Sequence, residues 1–300
     1  MTAGARGFPI RAFFQRLLGP RAMAYVLHLR PLEWPIMTAH FLLGTLLATG
    51  WALKAAPTLL GWLVFVALLN GGTLAINSAF DQDEGDIGYL KAPPKPPDHL
   101  LAFSSALLAA SALLGFLLPR PFALINLACV VMSVLYSVPP IRLKARAGWD
   151  LLINCIGFGL FTPLAGWAIT GRPFDAAILW ASWGFAFLFA TLYPMTQIYQ
   201  VAEDTRRGDR TLVIRVGVGR SLALALVAAL VAHLLFGAAV MALGRHLWPL
   251  GISLAAWLAV LLPWLAGWRA WSDHRHETGM YWGLGAWAVT DLSLLILLWP

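Results

Sequence analysis

Charge is scarce in this 300-residue chain: 12% of its residues are Asp, Glu, Lys or Arg, whereas 60% are hydrophobic, and the mean hydropathy is +0.73. An ordinary soluble domain carries about twice that charged fraction. A chain this long could not clothe a water-facing surface with the polar groups it has. Composition therefore argues against a soluble enzyme, a nucleic-acid binder and a disordered protein, and the formal charge of +7 needs another explanation. Cysteine is nearly absent too. Cys129 and Cys155 both lie inside apolar runs, where they read as small buried hydrophobes, with no disulfide framework, CxxC pair or zinc site. The N-terminal stretch lacks the uninterrupted apolar segment of a cleaved signal peptide. No fixed-period repeat runs along the chain.

What is present in abundance is long apolar runs. A membrane-crossing helix needs roughly 20 predominantly apolar residues. Charge clusters and Pro/Gly punctuation divide the chain into about nine such runs, near 35–54, 57–79, 99–118, 121–138, 150–170, 175–197, 219–243, 247–268 and 279–299. The reading is an all-α polytopic membrane protein of about nine transmembrane helices, occupying residues 35–300. Residues 1–34 form a separate segment in which Arg6, Arg11, Arg16, Arg21 and Arg30 alternate with Phe13, Phe14, Leu17 and Leu18, the pattern of an amphipathic helix on an anionic leaflet.

Basic residues report orientation in such a protein. With the N-terminus and the loops after the second, fourth, sixth and eighth spans on one side, that side holds 17 Lys/Arg, against four on the other (Lys54, Arg120, Arg172 and Arg245). The positive-inside rule makes the first side cytoplasmic, and the expected location is an integral, inner (cytoplasmic) membrane. Twelve of the 14 acidic residues share that side, so any chemistry belongs on the cytoplasmic face.

Two acidic loops carry the chemical signal. On the helix entering the first, Asn70, Thr73, Asn77 and Asp81 recur at i, i+3, i+7 and i+11, so a polar stripe runs down one face into the membrane. Such a stripe must face protein or a water-filled cavity. Asp81, Asp83, Glu84 and Asp86 then place four carboxylates within six residues, where mutual repulsion favours a bound cation. An oxygen-rich, thiol-free cluster suits Mg²⁺, which keeps several waters and bridges to substrate phosphates. A solvated acidic loop is the plain alternative. The second loop mixes Glu203, Asp204 and Asp209 with Arg206, Arg207 and Arg210, and arginine forks match phosphate oxygens. Between the two lies Tyr136-Ser137-Val138-Pro139-Pro140-Ile141-Arg142-Leu143-Lys144, which presents further cations after a rigid Pro-Pro turn. Orientation alone requires no carboxylates.

Together these segments resemble the UbiA-type intramembrane prenyltransferases over nearly the whole chain. The resemblance rests on nine spans, Arg30-Pro31 before the first, an Asn/Asp-rich motif after the second, Tyr-Ser-x-Pro-Pro-x-Arg-x-Lys after the fourth and Asp-x-x-x-Gly-x-x-Thr-Leu after the sixth. It implies a helical bundle around a central cavity, Mg²⁺, and transfer of a polyprenyl group from an allylic prenyl diphosphate to a lipophilic acceptor such as a quinone precursor, chlorin or carotenoid-like lipid. The sequence departs from the family pattern at Ser78 and Gly85, which replace two aspartates of the first motif, and at Gln200, which replaces one of the later motif. On residues and resemblance together, Asn77, Asp81 and Asp204 are the expected catalytic groups. Asp81, Asp83, Glu84, Asp86, Glu203 and Asp204 are the expected metal ligands. Substrate binding falls to Arg30, Asn70, Lys91, Tyr136, Arg142, Lys144, Asn154, Arg207 and Arg210. No nucleic-acid partner is expected.

Inside the apolar runs, His40 and His233 read as packing residues, because neither has a second ligand at metal-site spacing. Asp291 reads as a packing carboxylic acid or, less readily, a functional one. Two rival functions stay open. One is a membrane transporter, for which the strongest charge is misplaced in loops instead of at the midplane. The other is a catalytically weakened scaffold, which the departures at Ser78, Gly85 and Gln200 would favour.

Overall fold

The computed structural model describes residues 9–81, 90 and 93–299. Helices dominate, with no strand among the described residues. An N-terminal helix, α1 (Pro9–His28), is broken at Gly19, whose φ of 75° suits a residue with no Cβ, followed by Pro20. The apolar runs then fold as α2 (Trp34–Thr49), α3 (Ala55–Asp81), α4 (Leu100–Gly115), α5 (Arg120–Ser137), α6 (Trp149–Ala168), α7 (Ala176–Ile198), then two short helices α8 (Val201–Arg207) and α9 (Leu212–Val216), and finally α10 (Val218–Ala242), α11 (Trp248–Gly267) and α12 (Asp273–Leu298). Each apolar run read from the sequence falls on one of these helices. Seven are long and apolar enough to cross a membrane. The helices α2 and α4, at 16 residues each, reach only about 24 Å at 1.5 Å per residue, short of the roughly 30 Å hydrocarbon core.

The core has two large apolar clusters and a smaller one, in which Ala48, Leu164, Trp167 and Ile178 join α2, α6 and α7. Phe41, Phe65 and Phe122 centre one cluster among α2–α6, and Phe185, Phe236, Trp257, Trp264 and Trp287 centre another among α7 and α10–α12. Apolar burial in lipid gives helices little reason to associate, so close backbone approach and interhelical hydrogen bonds do that work. At Gly44 and Gly166 the backbones of α2 and α6 touch, and a Cβ on either would collide with the carbonyl of Pro163 or Phe41. Thr45 Oγ1 donates to Gly166 O across the same contact, at 2.9 Å.

Two π-helical stretches interrupt the spans, Leu63–Asn70 in α3 and Cys155–Leu160 in α6. Near the start of the first, Ser111 of α4 donates to Val64 O at 3.0 Å, while Asn126 Nδ2 of α5 donates to Ser111 O at 2.9 Å. His233 and His40 sit in similar polar contacts. His233 Nδ1 lies 2.8 Å from Ala229 O, so its Nε2 accepts from Ser253 Oγ, also at 2.8 Å. Ser253 and Trp257 in turn contact Thr290 Oγ1, which ties α10, α11 and α12 together. Trp287 Nε1 donates to His40 Nε2 at 2.8 Å, and Asp291 Oδ1 lies 3.4 Å from that nitrogen.

Candidate active site

A cavity of about 320 Å³ lies between the two large clusters. The polar face of α3 supplies its first wall: Asn70, Thr73, Asn77 and Asp81 all line it, as the i, i+3, i+7, i+11 spacing requires. Asp81 sits at one end. Asn70, eleven residues earlier, is about 16 Å deeper by helical rise.

The charged end is built by the last turn of α3 and the segments after α5 and α7, which meet although they are far apart in sequence. After a cis Pro139–Pro140 bond, Arg142 adopts the left-handed region at φ 37°. Its guanidinium bridges the end of α3 and the loop after α8, donating to Asp209 Oδ1 at 2.6 Å and to Asp81 Oδ1 at 3.2 Å. Burial alone would lower its pKa, but Asp209 and then Asp81 outweigh that and hold it above the ordinary arginine value. Lys144 Nζ pairs with Asp81 and donates to Asn77 Oδ1 at 2.6 Å. A backbone bridge from Arg210 N to Ala145 O, at 3.2 Å, fixes the two loops side by side.

Arg30 reaches the same end from before α2. It too is left-handed, at φ 48°, and the two arginines are the only non-glycine residues with positive φ among those described. Such a conformation costs on the order of 1–3 kcal/mol and collects at functional sites. The guanidinium lies 3.7 Å from Glu33 Oε1 and 3.4 Å from Ser78 Oγ, while its buried Nε has no hydrogen-bond partner. Ser78, where the family pattern has an aspartate, leaves that cation without a neutralising carboxylate at this position.

Of the residues singled out in the sequence, Arg30, Asn70, Asn77, Asp81, Tyr136, Lys144, Asn154, Glu203 and Asp204 line the cavity. Arg142 does not line it but grips Asp81, which does. Arg210 is exposed and contributes its backbone to the loop contact. Asp83, Glu84, Asp86, Lys91 and the Arg207 side chain lie outside the described residues. Sequence reasoning missed Tyr193, Gln197 and Thr211 of the polar wall and Phe158, Phe189 and Trp287 of the apolar wall. Tyr193 meets Tyr136 hydroxyl to hydroxyl at 3.1 Å. Gln197 donates to Asp150 Oδ2 at 2.8 Å and leaves its own Oε1 unpartnered. Its polar type inside an apolar run was the available signal. The aromatic residues carried none, since packing explains most of them. Phe189 stacks on Phe158 at 5.5 Å and meets Trp287 edge-on at 5.6 Å.

Asp150 anchors this architecture from outside the cavity. Fully buried, it accepts from Gly148 N, Gln197 Nε2 and Leu212 N, joining α6, α7 and α9.

No three acidic, His or Cys side chains converge as a metal-holding group among the described residues. Mg²⁺ needs only one or two carboxylates, with waters and substrate phosphates completing its shell. Asp81 and Asp204 both line the cavity, the one or two carboxylates that this mode requires, with Asp81 held in this structure by Lys144 and Arg142.

Fold and site together define a polytopic helical membrane protein with a cavity that is charged at one end and aromatic at the other. The chain matches the model of the UbiA prenyltransferase family over residues 34–287, and it belongs to that family. Among solved structures it is similar to a UbiA homologue from Archaeoglobus fulgidus bound to DMAPP and Mg²⁺, with TM-score 0.65, 20% identity, and coverage of 88% of this chain and 98% of that one. It is similar to a digeranylgeranylglyceryl phosphate synthase at TM-score 0.69 and 14% identity, covering 92% and 97%. An apo UbiA homologue from Aeropyrum pernix K1 matches at TM-score 0.64 and 19% identity, covering 88% and 98%. No curated protein matches the chain.

Proposed function

We propose that this protein transfers a polyprenyl group from an allylic prenyl diphosphate to a lipophilic acceptor within the inner membrane, with the charged end of the cavity at the cytoplasmic face. The observation that carries this reading is the convergence of Asp81 from the end of α3, Arg142 and Lys144 from the segment after α5, and Asp209 from the loop after α8 onto one end of a cavity whose other end is aromatic. A diphosphate joined to a hydrocarbon chain has that same polarity. The similar structure that holds DMAPP and Mg²⁺ supports the same donor class here.

Asp81 and Asp204 would hold Mg²⁺, which when bound neutralises part of the charge on the leaving diphosphate. Lys144 and Arg142, which hold Asp81, Asn77 and Asp209 in this structure, are the cations of that end that would meet phosphate oxygens. Arg30, paired only with Glu33 at 3.7 Å and facing the neutral Ser78 hydroxyl among the described residues, adds a further fork. The C1–O bond of the donor breaks with its electron pair leaving on the diphosphate. The allylic cation lies against Phe158, Phe189 and Trp287, whose ring faces stabilise positive charge and whose bulk excludes water. The acceptor gives an electron pair to C1 and loses a proton.

The segment 1–34 serves as an interfacial anchor, and residues 35–300 as the catalytic unit. Phe13, Leu17 and, to a lesser degree, Phe14 and Leu18 are exposed on α1, where a leaflet would cover them.

The test is Mg²⁺-dependent diphosphate release by the purified protein in lipid, given farnesyl or geranylgeranyl diphosphate and a lipid extract as acceptor. A new prenylated lipid, identified by mass, is expected, and Asp81→Ala abolishes its formation. Unchanged product from Asp81→Ala overturns the clamp. Absence of any prenyl diphosphate binding favours the scaffold or transporter reading.

A further inference from the structure

The two π-helical stretches, Leu63–Asn70 and Cys155–Leu160, are separated in sequence by the whole of α4 and α5, yet both line one small pocket of about 40 Å³ that branches from the main cavity. A π turn replaces the α-helical hydrogen-bond pattern with i→i+5 bonds and is frequent at functional sites. Here the first stretch presents Phe65, Leu69 and Asn70, and the second presents Gly157 and Phe158. Gly157 keeps the pocket open without being forced to. A Cβ there would meet only the Met132 methyl, at an ordinary contact distance of 3.6 Å, so helix packing does not demand a glycine.

The junction of pocket and cavity is marked by Asn70, which lines both. It is 3% exposed, and its Nδ2 makes no hydrogen bond among the described residues. The other hydroxyls and amides of the pocket are partnered. Thr73 meets Ser133 at 2.6 Å, Ser133 donates to Cys129 O, Tyr136 meets Tyr193, and Asn154 donates to Asp150 O. Among the described residues, no charged side chain lines the pocket.

A buried amide donor left unmet carries its full desolvation cost. The hydrocarbon tail of a prenyl donor would leave it unmet, and a carboxylate or phosphate would find no cation there. We propose that this pocket receives the uncharged, oxygen-bearing end of the second substrate, the prenyl acceptor, with Asn70 Nδ2 donating to that oxygen. The assignment rests on the prenyltransferase reading for the word acceptor, but the oxygen preference stands on Asn70 alone.

The experiment uses the full chain in lipid nanodiscs and two neutral probes of one outline, 2-acetylnaphthalene and 2-isopropylnaphthalene, with binding corrected for empty nanodiscs. Farnesyl thiolodiphosphate, which cannot readily ionise, reports the donor site separately. The wild type is expected to prefer the ketone, and Asn70→Leu to reduce that preference about tenfold, the worth of one otherwise unmet donor. Gly157→Ala, which adds only a methyl group and favours helix, guards against misfolding. It should weaken the ketone by a larger factor than the thiolodiphosphate. Equal affinity for the two probes in the wild type, or a preference that survives Asn70→Leu, overturns the proposal. So does a Gly157→Ala variant in which the thiolodiphosphate suffers the larger loss, because the pocket then holds the donor chain. Failure of the thiolodiphosphate to bind anywhere would instead strike the prenyltransferase reading and leave the ketone comparison to decide the pocket.

Discussion

The pairing of Asp81 with Lys144 allows a quantitative test of how the charged end is held together. Both side chains are nearly buried, 8% and 9% exposed, and two unit charges about 4 Å apart attract by about 4 kcal/mol at an effective dielectric near 20. Neither partner is left bare when the other is removed. Lys144→Met leaves Asp81 with Arg142 at 3.2 Å, and Asp81→Asn leaves Lys144 with Asn77 at 2.6 Å. Each single change should therefore cost about 2–3 kcal/mol, below the 3–5 kcal/mol of a fully orphaned buried charge. The double variant removes both charges together and should cost less than the sum, with a coupling energy of about 2 kcal/mol. Reversible unfolding in mixed micelles reads all four corners of the cycle. The coupling should persist at about 1 M salt, where the screening length is only about 3 Å, because buried pairs are screened much less than exposed ones. Single-variant costs that add within about 0.5 kcal/mol would refute the pairing as an energetic unit.

Other perturbations follow the same logic elsewhere in the molecule. Asp150→Ala strips the acceptor from Gly148 N, Gln197 Nε2 and Leu212 N at once, and at about 1 kcal/mol or more per unmet donor it should cost at least about 3 kcal/mol in the same unfolding assay. Gly166→Ala drives a methyl into the Phe41 carbonyl and should destabilise by about 1–3 kcal/mol, with crosslinking between α2 and α6 reporting their separation. Arg30→Gly relieves the left-handed strain, so stability should hold or rise, while prenyl thiolodiphosphate affinity falls about 10- to 100-fold with loss of a charge-assisted hydrogen bond. His28 is held below its ordinary value of 6.5, first by burial and then by nearby Arg30, against the opposing pull of the Pro94 carbonyl. Its neutral form is the folded one. Its contribution is therefore complete above pH 6.5 and is lost as the pH falls towards the lower folded value, because the unfolded chain takes up the proton first. Hydrogen exchange in α1 should quicken on acidification in the wild type and not in His28→Gln.

Much of the site was legible because its residues share a helix face or a short motif. Asn70, Asn77 and Asp81 follow from the spacing along α3, and Tyr136, Arg142 and Lys144 from one contiguous segment. Tyr193, Phe189 and Trp287 lie on α7 and α12, whose apolar runs give no cue to which face meets the cavity beyond the polar Gln197 at the end of α7. The partners of Lys144 and Arg142 were equally hidden. Both read as phosphate ligands in the sequence, whereas the folded chain sets them on Asp81, Asn77 and Asp209.

By itself the sequence determined the elements and the class. Low charge, apolar runs of membrane length and lopsided basic residues are local quantities, and a lipid surround obliges each such run to satisfy its backbone within a helix. The ordered motifs added the family. Tertiary structure alone decided which loops meet, which carboxylate each cation neutralises, and that two π-helical stretches distant in the chain open onto one pocket with an unmet Asn70 amide between them. Those outcomes depend on how helices of nearly uniform hydrophobicity rotate and pack. In lipid that choice is made by small residues at close contacts such as Gly44 and Gly166 and by buried polar ties such as Asp150, whose partners lie far along the chain.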